Sequence, residues 1–303
     1  MAGAGGPRPR VRQRRLALLL LAGVVVVAVV VPPSAMYLRL HPARQPLTDD
    51  PGRHGLAYSD VAFASPLDGT TIRGWYLPAP VPTGRAIVIA PGIDDTRLAG
   101  GVTLRLVPPL LAAGYDILAI DLRAEGTSGG EMQTFGAAEQ WDVLGAVATA
   151  RRMGARRVAV VGFSLGGDAA LLAAARDASI DAVWAESAFA DLPGVFGHEL
   201  TVNDHLPPPA AAYAGWLFRV LSGIDPADIA PVRAIAAIDR PVLLVHGDED
   251  RTVPVADSDR LLRAAGGSVA RWVVPGGTHA LSYFADPAAY TSRVLEFLDR
   301  SLG

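Results

Sequence analysis

The stretch from Val158 to Gly167, VAVVGFSLGG, constrains the fold of this 303-residue chain more than any other. It opens with four apolar residues, as expected for a strand that is buried on both faces of a parallel sheet. The residues after Ser164 are rich in alanine and leucine and predict a helix. A serine between strand and helix, with Gly162 and Gly166 on either side, is typical of the sharp turn that exposes a nucleophilic hydroxyl. We therefore predict that Ser164 is a nucleophile; an ordinary glycine-rich turn of a βα unit is the alternative.

The rest of the chain predicts the sheet around this turn. From residue 85 onward, strand-like apolar runs alternate with helical ones, which indicates a mostly parallel sheet covered on both faces. Before it, Asp68-Gly69 joins two strand-like runs and predicts an antiparallel hairpin. Residues 189–239 are too many for a single helical connection, so we predict a small helical cap there.

The amino terminus has a different composition. Residues 1–15 contain five arginines and no acidic residue, and residues 16–38 contain no charge. About 20 apolar helical residues cross a bilayer, so we expect a transmembrane signal anchor at 16–38. The arginines predict that residues 1–15 stay in the cytoplasm and that the catalytic domain lies outside, attached to the membrane. A cleaved signal peptide ending at Ala35 is the alternative. Residues 39–55, rich in Pro, Arg and Asp, predict a linker to a domain at 56–303.

Composition excludes several classes of function. The formal net charge of −3 argues against binding nucleic acid through its phosphates. The chain has no cysteine, which excludes disulfides, thiol catalysis and thiolate metal sites. We expect neither a metal nor another cofactor.

A serine nucleophile needs a base, a carboxylate and oxyanion donors. Of the six histidines, His279 follows a late strand in a flexible Gly-Gly-Thr-His segment and is the predicted base. Asp248, Glu249 and Asp250 lie together at another strand end and are the candidate carboxylates. The backbone N–H of Leu165, directly after the nucleophile, and that of Ile93, in the loop after the Arg85 to Ala90 strand, are the predicted oxyanion donors.

These segments resemble the α/β-hydrolase superfamily. The resemblance rests on GFSLG, HGDEDRTVP and GGTH, and on DLRAEGTSGG from Asp121 to Gly130, which is similar to that superfamily's DxRxxGxSxG segment. This last segment is interpreted as a structural turn network; Pro91-Gly92 stands where many relatives have His-Gly. The hairpin and the amino-terminal segment narrow the resemblance to the superfamily's membrane-anchored serine hydrolases. The resemblance implies a doubly wound sheet of about eight strands with the site at their carboxyl ends. The resemblance and the reach of the loop together favour Asp250 over Asp248 as the carboxylate that orients His279.

The sequence thus predicts a cofactor-free serine hydrolase that cleaves a carboxylic ester or thioester through an acyl-enzyme. Ser164 attacks a small or lipid-like acyl substrate, His279 transfers the proton and Asp250 orients His279. Two alternatives stay open. One is a serine peptidase on the same fold, and the other is a catalytically silent, membrane-tethered binding module.

Overall fold

Eight strands form one sheet in the part of the chain that the structure describes. This computed structural model describes residues 9–303, except for the side chains of residues 9–12, 20–22, 24, 25, 27 and 28. The strands are β1 Ser59–Ala64, β2 Thr71–Leu77, β3 Arg85–Ala90, β4 Tyr115–Ile120, β5 Arg157–Phe163, β6 Ala182–Glu186, β7 Val242–Gly247 and β8 Val269–Val274. They are arranged in the order β1-β2-β4-β3-β5-β6-β7-β8. β2 pairs antiparallel with β1 and β4, whereas the other neighbours are parallel. The predicted mostly parallel sheet of about eight strands is confirmed.

Helices cover both faces of this sheet. They are α1 Pro9–Leu40, α2 Thr103–Ala112, α3 Glu139–Arg152, α4 Leu165–Arg176, α5 Leu192–Gly197, α6 Pro209–Ser222, α7 Pro231–Ala234, α8 Val255–Ala264 and α9 Pro287–Leu302. Val158 and Val160 of β5 pack in one apolar cluster with α3, α4 and α8. Ala159 and Val161 pack in a second cluster with α2 and α9. Because alternate residues of β5 enter different clusters, the strand has no polar residue after its first, the exposed Arg157.

The segment between β6 and β7 is mainly helical. It contains α5, a π-helix at His198–Asn203, α6 and α7. Phe196, Leu217 and Phe218 are buried in a third apolar cluster, which we call the cap cluster. Trp216 is 56% exposed, so the aromatic residues of α6 divide between core packing and surface. The exact limits of the cap (189–239) and of the linker (39–55) stay predictions.

The prediction of an amino-terminal transmembrane anchor is wrong. Among the described residues, the structure contains no helix with both the length and the apolar character that crossing a membrane requires. Residues 16–38 belong to α1, and its last turns pack against the cap, where Met36 and Leu40 are buried in the cap cluster. Met36 and Leu40 therefore contribute to packing against the cap, whereas Leu38 in the same turns is 66% exposed. The predicted localisation depended on this anchor. It placed the amino terminus in the cytoplasm and the catalytic domain outside, and it is wrong as well. Residues 1–8 of the predicted basic segment lie outside the described residues.

Candidate active site

Ser164 lies at the turn between β5 and α4 in a strained backbone conformation. Its φ and ψ are 50° and −118°, a region that residues other than glycine rarely adopt. The two flanking glycines permit the crowding at this turn. A Cβ on Gly162 would lie 2.3 Å from the Gly166 carbonyl oxygen, and one on Gly166 would lie 2.3 Å from the Ala90 carbonyl oxygen. Only glycine fits at these two positions, as the sequence pattern indicates.

Ser164, His279 and Asp250 form one chain of hydrogen bonds. The His279 Nε2 atom lies 2.9 Å from Ser164 Oγ, and His279 Nδ1 lies 2.8 Å from Asp250 Oδ2. An ionised carboxylate can only accept a hydrogen bond, so Nδ1 carries the ring proton and its N–H group donates a hydrogen bond to Asp250. In that tautomer Nε2 is free to accept the Ser164 hydroxyl proton.

Asp250 is held by several donors. Its Oδ1 accepts hydrogen bonds from the backbone N–H groups of Thr252 and Val253, both at 2.9 Å. The buried His246 lies behind it, with Nε2 at 3.3 Å from Asp250 Oδ2. Burial alone would raise the pKa of Asp250, but the hydrogen bonds from His246, His279 and the Val253 N–H lower it far below its usual value. Asp250 is therefore a carboxylate at neutral pH.

Asp248 has a different neighbour. Its Oδ1 accepts the Gly276 N–H at 2.7 Å, in the segment that leads to His279. Of the acidic residues in this loop, the structure brings Asp250 and not Asp248 into contact with the His279 ring.

The predicted oxyanion donors lie on two segments that meet at Ser164. Leu165 is the first residue of α4, and the first N–H groups of a helix have no acceptor within it. Ile93 directly follows Gly92, whose added Cβ would lie 3.4 Å from the Ser164 Cβ. The Ile93 side chain packs against the cap cluster. The loop after β3 and the start of α4 are thus adjacent at the serine.

Sequence reasoning missed Glu186 and Ser187 at the end of β6. The Glu186 carbonyl oxygen accepts the Ser164 N–H at 2.7 Å. Its buried carboxylate accepts the Ser282 N–H at 2.8 Å and the Tyr290 hydroxyl. Ser187 Oγ accepts the Ala280 N–H at 2.9 Å. This strand end therefore contacts both the turn at Ser164 and the segment directly after His279. The available signal was a polar pair, Glu-Ser, at the carboxyl end of an otherwise apolar strand.

The Asp121 to Gly130 segment forms a network of turns, as interpreted from the sequence. Asp121 pairs with the buried Arg97 at 2.5 Å and accepts the Thr127 N–H at 2.8 Å. Arg123 pairs with the buried Asp142 at 2.8 Å. The Arg97–Asp121 pair joins the loops after β3 and β4, and the Arg123–Asp142 pair joins the second of these loops to α3.

Glu125 lies in the same segment, close to the loop that carries Ile93. Its buried carboxyl accepts the Asp95 N–H at 3.2 Å and the Gln133 side-chain amide. Burial raises the pKa of Glu125 to about 9, although these donors oppose the rise. The group is therefore mainly protonated at neutral pH.

Metal ligation has no candidate among the residues that the structure describes. No group of three or more His, Asp or Glu side chains within that part of the chain has the arrangement to hold a metal ion. The groups in contact at this site are the serine hydroxyl, the imidazole and the carboxylate.

The chain is similar to known proteins over most of its length. It is 29% identical over 245 residues to the uncharacterized protein YqkD of Bacillus subtilis (strain 168), covering 79% of each chain. It matches the structure of the Pyrococcus furiosus esterase Pf2001 with a TM-score of 0.74 and 25% identity, over 88% of this chain and 99% of that one. It also shares its fold with the Pyrococcus horikoshii acylaminoacyl peptidase, with a TM-score of 0.62 and 18% identity, over 84% of this chain and 44% of that one.

The sequence pattern of the prolyl oligopeptidase family matches residues 107–303. This match includes Ser164, Asp250 and His279 and covers more than half of the chain. Together with the esterase structure it identifies a serine hydrolase of the α/β-hydrolase type. The protein belongs to the prolyl oligopeptidase family.

Proposed function

We propose that this serine hydrolase cleaves carboxylic esters or thioesters through an acyl-enzyme, with Ser164 as nucleophile, His279 as base and Asp250 as the orienting carboxylate. The observation that carries the proposal is the hydrogen-bond chain through these three side chains, 2.9 Å from serine to histidine and 2.8 Å from histidine to aspartate. The first distance suits transfer of the serine proton to histidine without movement of the backbone, and the second suits the hydrogen bond that orients the imidazole.

In the first half of the reaction, Ser164 Oγ attacks the acyl carbon while its proton passes to His279 Nε2. Asp250 stabilises the imidazolium that forms. The negative charge on the former carbonyl oxygen is held by the N–H groups of Leu165 and Ile93. His279 then gives its proton to the departing alcohol or thiol, and the acyl group stays on Ser164.

In the second half, water replaces the leaving group. His279 takes a proton from the water, the resulting hydroxide attacks the acyl-enzyme, and Ser164 Oγ leaves with the proton that His279 returns. The product is a carboxylic acid and the enzyme is regenerated. None of these steps requires a metal or an organic cofactor.

Ester cleavage is supported by the similarity to the Pyrococcus furiosus esterase, which this chain covers almost completely. Peptide cleavage is the second candidate, because the family is named for an oligopeptidase and the Pyrococcus horikoshii acylaminoacyl peptidase shares the fold. This chain spans 44% of that peptidase, compared with 99% of the esterase. We therefore favour esters.

A fluorophosphonate probe tests the nucleophile. The full-length chain should be labelled at one site, and Ser164→Ala should abolish labelling and the turnover of p-nitrophenyl acetate. Ser59→Ala, at an exposed serine of β1, is the matched control and should label as wild type does. Equal labelling of wild type and Ser164→Ala would refute the proposal.

A paired substrate measurement decides between ester and peptide. An N-acyl amino acid p-nitrophenyl ester and the corresponding p-nitroanilide present the same acyl group with different leaving groups. We expect kcat/KM for the ester to exceed that for the anilide by far more than the non-enzymatic rates of the two compounds differ. A peptidase would show the smaller ratio and would cleave unactivated peptides.

A further inference from the structure

A cavity of about 200 Å³ lies between the end of α1 and the cap. Met36 and Arg39 of α1 form one wall, and Phe196, Leu200, Ala210 and Tyr213 are among the cap residues that form the others. An apolar protein cavity of about 150 Å³ is large enough for a benzene ring. The cavity therefore has room for a straight chain of roughly six to ten carbons.

The walls suit an uncharged chain. The two charged residues at the cavity, Arg39 and Glu199, bond to each other at 2.7 Å, and both side chains reach solvent. Apart from the Tyr213 hydroxyl, the remaining lining side chains are apolar. A ligand that carries a charge would have to separate the Arg39–Glu199 pair, whereas an alkyl chain gains from each methylene that leaves water.

Two connections link this cavity to the site at Ser164. Ile93, whose N–H is a proposed oxyanion donor, packs against the cap cluster that includes the cavity residues Met36, Phe196 and Leu217. The π-helix contributes Leu200 to the cavity, and its last residue, Asn203, donates a hydrogen bond to the Arg251 carbonyl at 2.9 Å, directly after Asp250. Leu200 and Asn203 are three residues apart, so these two contacts lie within one turn of the π-helix. Single π-helical turns are frequent at functional sites.

We infer that this cavity binds the acyl chain of the substrate, and that the substrate carries a straight acyl group of medium length. The inference rests on the proposed function for the reaction itself. It adds a specificity site in which α1 supplies part of the wall, so the amino-terminal helix belongs to substrate binding.

A pair of substitutions on α6 tests this site. Ala210 lines the cavity, whereas Ala212 is exposed on the same helix and does not. Ala210→Phe should lower the ratio of kcat/KM for the octanoyl ester to that for the acetyl ester at least tenfold in the full-length chain. Ala212→Phe, the matched control, should leave the ratio as in wild type. Met36→Ala enlarges the cavity and should move the preferred acyl length upward by two or more carbons.

Binding of octanoate to Ser164→Ala, measured by titration calorimetry, separates this inference from the proposed function. Ala210→Phe in that background should raise the Kd for octanoate at least tenfold. If no ester is cleaved but this effect on binding is seen, the acyl site stands and the proposed reaction fails. If esters are cleaved while Ala210→Phe changes neither the ester ratio nor octanoate binding, the cavity is not the acyl site.

Discussion

At the scale of single residues, the carboxylates of the Asp250 loop have separate contacts. The Asp250 carboxylate accepts a hydrogen bond from the His279 ring, and the Asp248 carboxylate accepts one from the Gly276 N–H. Asp250→Asn replaces an acceptor with an amide whose NH₂ group can force His279 into the wrong tautomer. We expect kcat to fall by about 10³ to 10⁴ with little change in KM. Asp248→Asn is the control and should keep most of the activity. Steady-state kinetics with p-nitrophenyl acetate measures both variants. A larger loss of activity in Asp248→Asn than in Asp250→Asn would assign the orienting role to Asp248.

Glu186 is the residue whose role the sequence did not indicate. Its carboxylate is fully buried and bonds to the Ser282 N–H, three residues after His279, and to the Tyr290 hydroxyl. Burial raises the pKa of Glu186, although Tyr290, Ser282 and the nearby His279 oppose the rise. Because this carboxylate bonds to the segment after His279 and not to the His279 ring, we predict that Glu186 is a positioning residue.

Glu186→Gln should therefore lower kcat about tenfold while KM stays within twofold, because a bond of about 1.5 kcal/mol to the histidine segment is weakened. Glu296→Gln, at a half-exposed carboxylate of α9, should change neither constant. The thermal midpoint of both variants has to be measured as well. If Glu186→Gln lowers the midpoint but leaves kcat unchanged, Glu186 supports the fold and does not position His279.

At the scale of elements, the turn at Ser164 depends on how closely α4 approaches β3. A Cβ on Gly166 would lie 2.3 Å from the Ala90 carbonyl oxygen and 2.5 Å from that of Pro91. Both are backbone atoms at the start of the predicted oxyanion loop, so relief requires that the loop or the helix moves. Gly166→Ala should destabilise the protein by about 1–3 kcal/mol or more and reduce activity at least a hundredfold.

Gly197 offers the matched control for that substitution. A Cβ at Gly197 meets no atom within 4 Å, and the residue lies in α5 with a negative φ. Gly197→Ala should be neutral or slightly stabilising, since alanine is the better helix former. Urea unfolding and ester turnover of both variants measure the comparison. A Gly166→Ala protein with wild-type activity would mean that the turn tolerates a side chain.

Element types were predictable where apolar periodicity was strong. The apolar runs at residues 71–77, 85–90 and 269–274 predict strands, and β2, β3 and β8 have these limits. Residues 96–113 have a pattern that predicts one helix, but α2 is shorter, because Ala99–Gly101 form a separate 3₁₀ turn in which Gly100 has a φ of 61°. The periodicity of residues 135–153 predicts another helix, but α3 begins at Glu139, since the Glu139 carboxylate accepts the N–H groups of Thr134 and Gly136 and holds that segment as a loop. Both departures depend on local contacts that periodicity does not report.

The proximity of Ser164, Asp250 and His279 could be predicted, because each follows the carboxyl end of a strand and these ends lie at one edge of the sheet. The contacts of Glu186 and of α1 could not. Glu186 meets Ser282 across 96 residues of sequence. The uncharged run at residues 16–38 indicates that apolar surface must be covered, but nothing in that run indicates that Met36 and Leu40 pack against the cap. Long-range contacts of this kind depend on the topology, which motifs and apolar periodicity in one sequence do not reveal.

At the scale of the whole molecule, the last residue of α1 and the residues after it are linked to the predicted oxyanion loop through Glu125. The Leu40 carbonyl accepts the Gln133 N–H at 2.7 Å, and the Gln133 side chain donates to Glu125. Glu125 in turn accepts the Asp95 N–H. Arg44 adds a bond to the Glu125 carbonyl at 3.2 Å. The chain directly after α1 thus contacts the loops after β3 and β4 around one buried carboxyl.

This buried carboxyl makes stability depend on pH. Burial raises the pKa of Glu125 from 4.5 to about 9, so between these values the folded state binds a proton that the unfolded state has released. The contribution of this group to the free energy of unfolding is then highest below pH 4.5. It decreases as the pH rises toward 9, by at most about 1.4 kcal/mol per pH unit.

Glu125→Gln keeps the shape of the side chain and removes its titration, so the stability of this variant relative to wild type should increase from pH 5 to pH 9.

Other buried carboxyls also titrate, and the comparison between the two proteins cancels their contribution. Glu131→Gln, at an exposed carboxyl in the same loop, is the control and should follow the wild-type curve. Urea unfolding at half-unit intervals of pH measures all three proteins. If the difference between Glu125→Gln and wild type is constant over this range, Glu125 is ionised in the folded state. In that case the donors around it, Gln133 and the loop N–H groups, outweigh its burial, and the contact that joins these loops is a charged one.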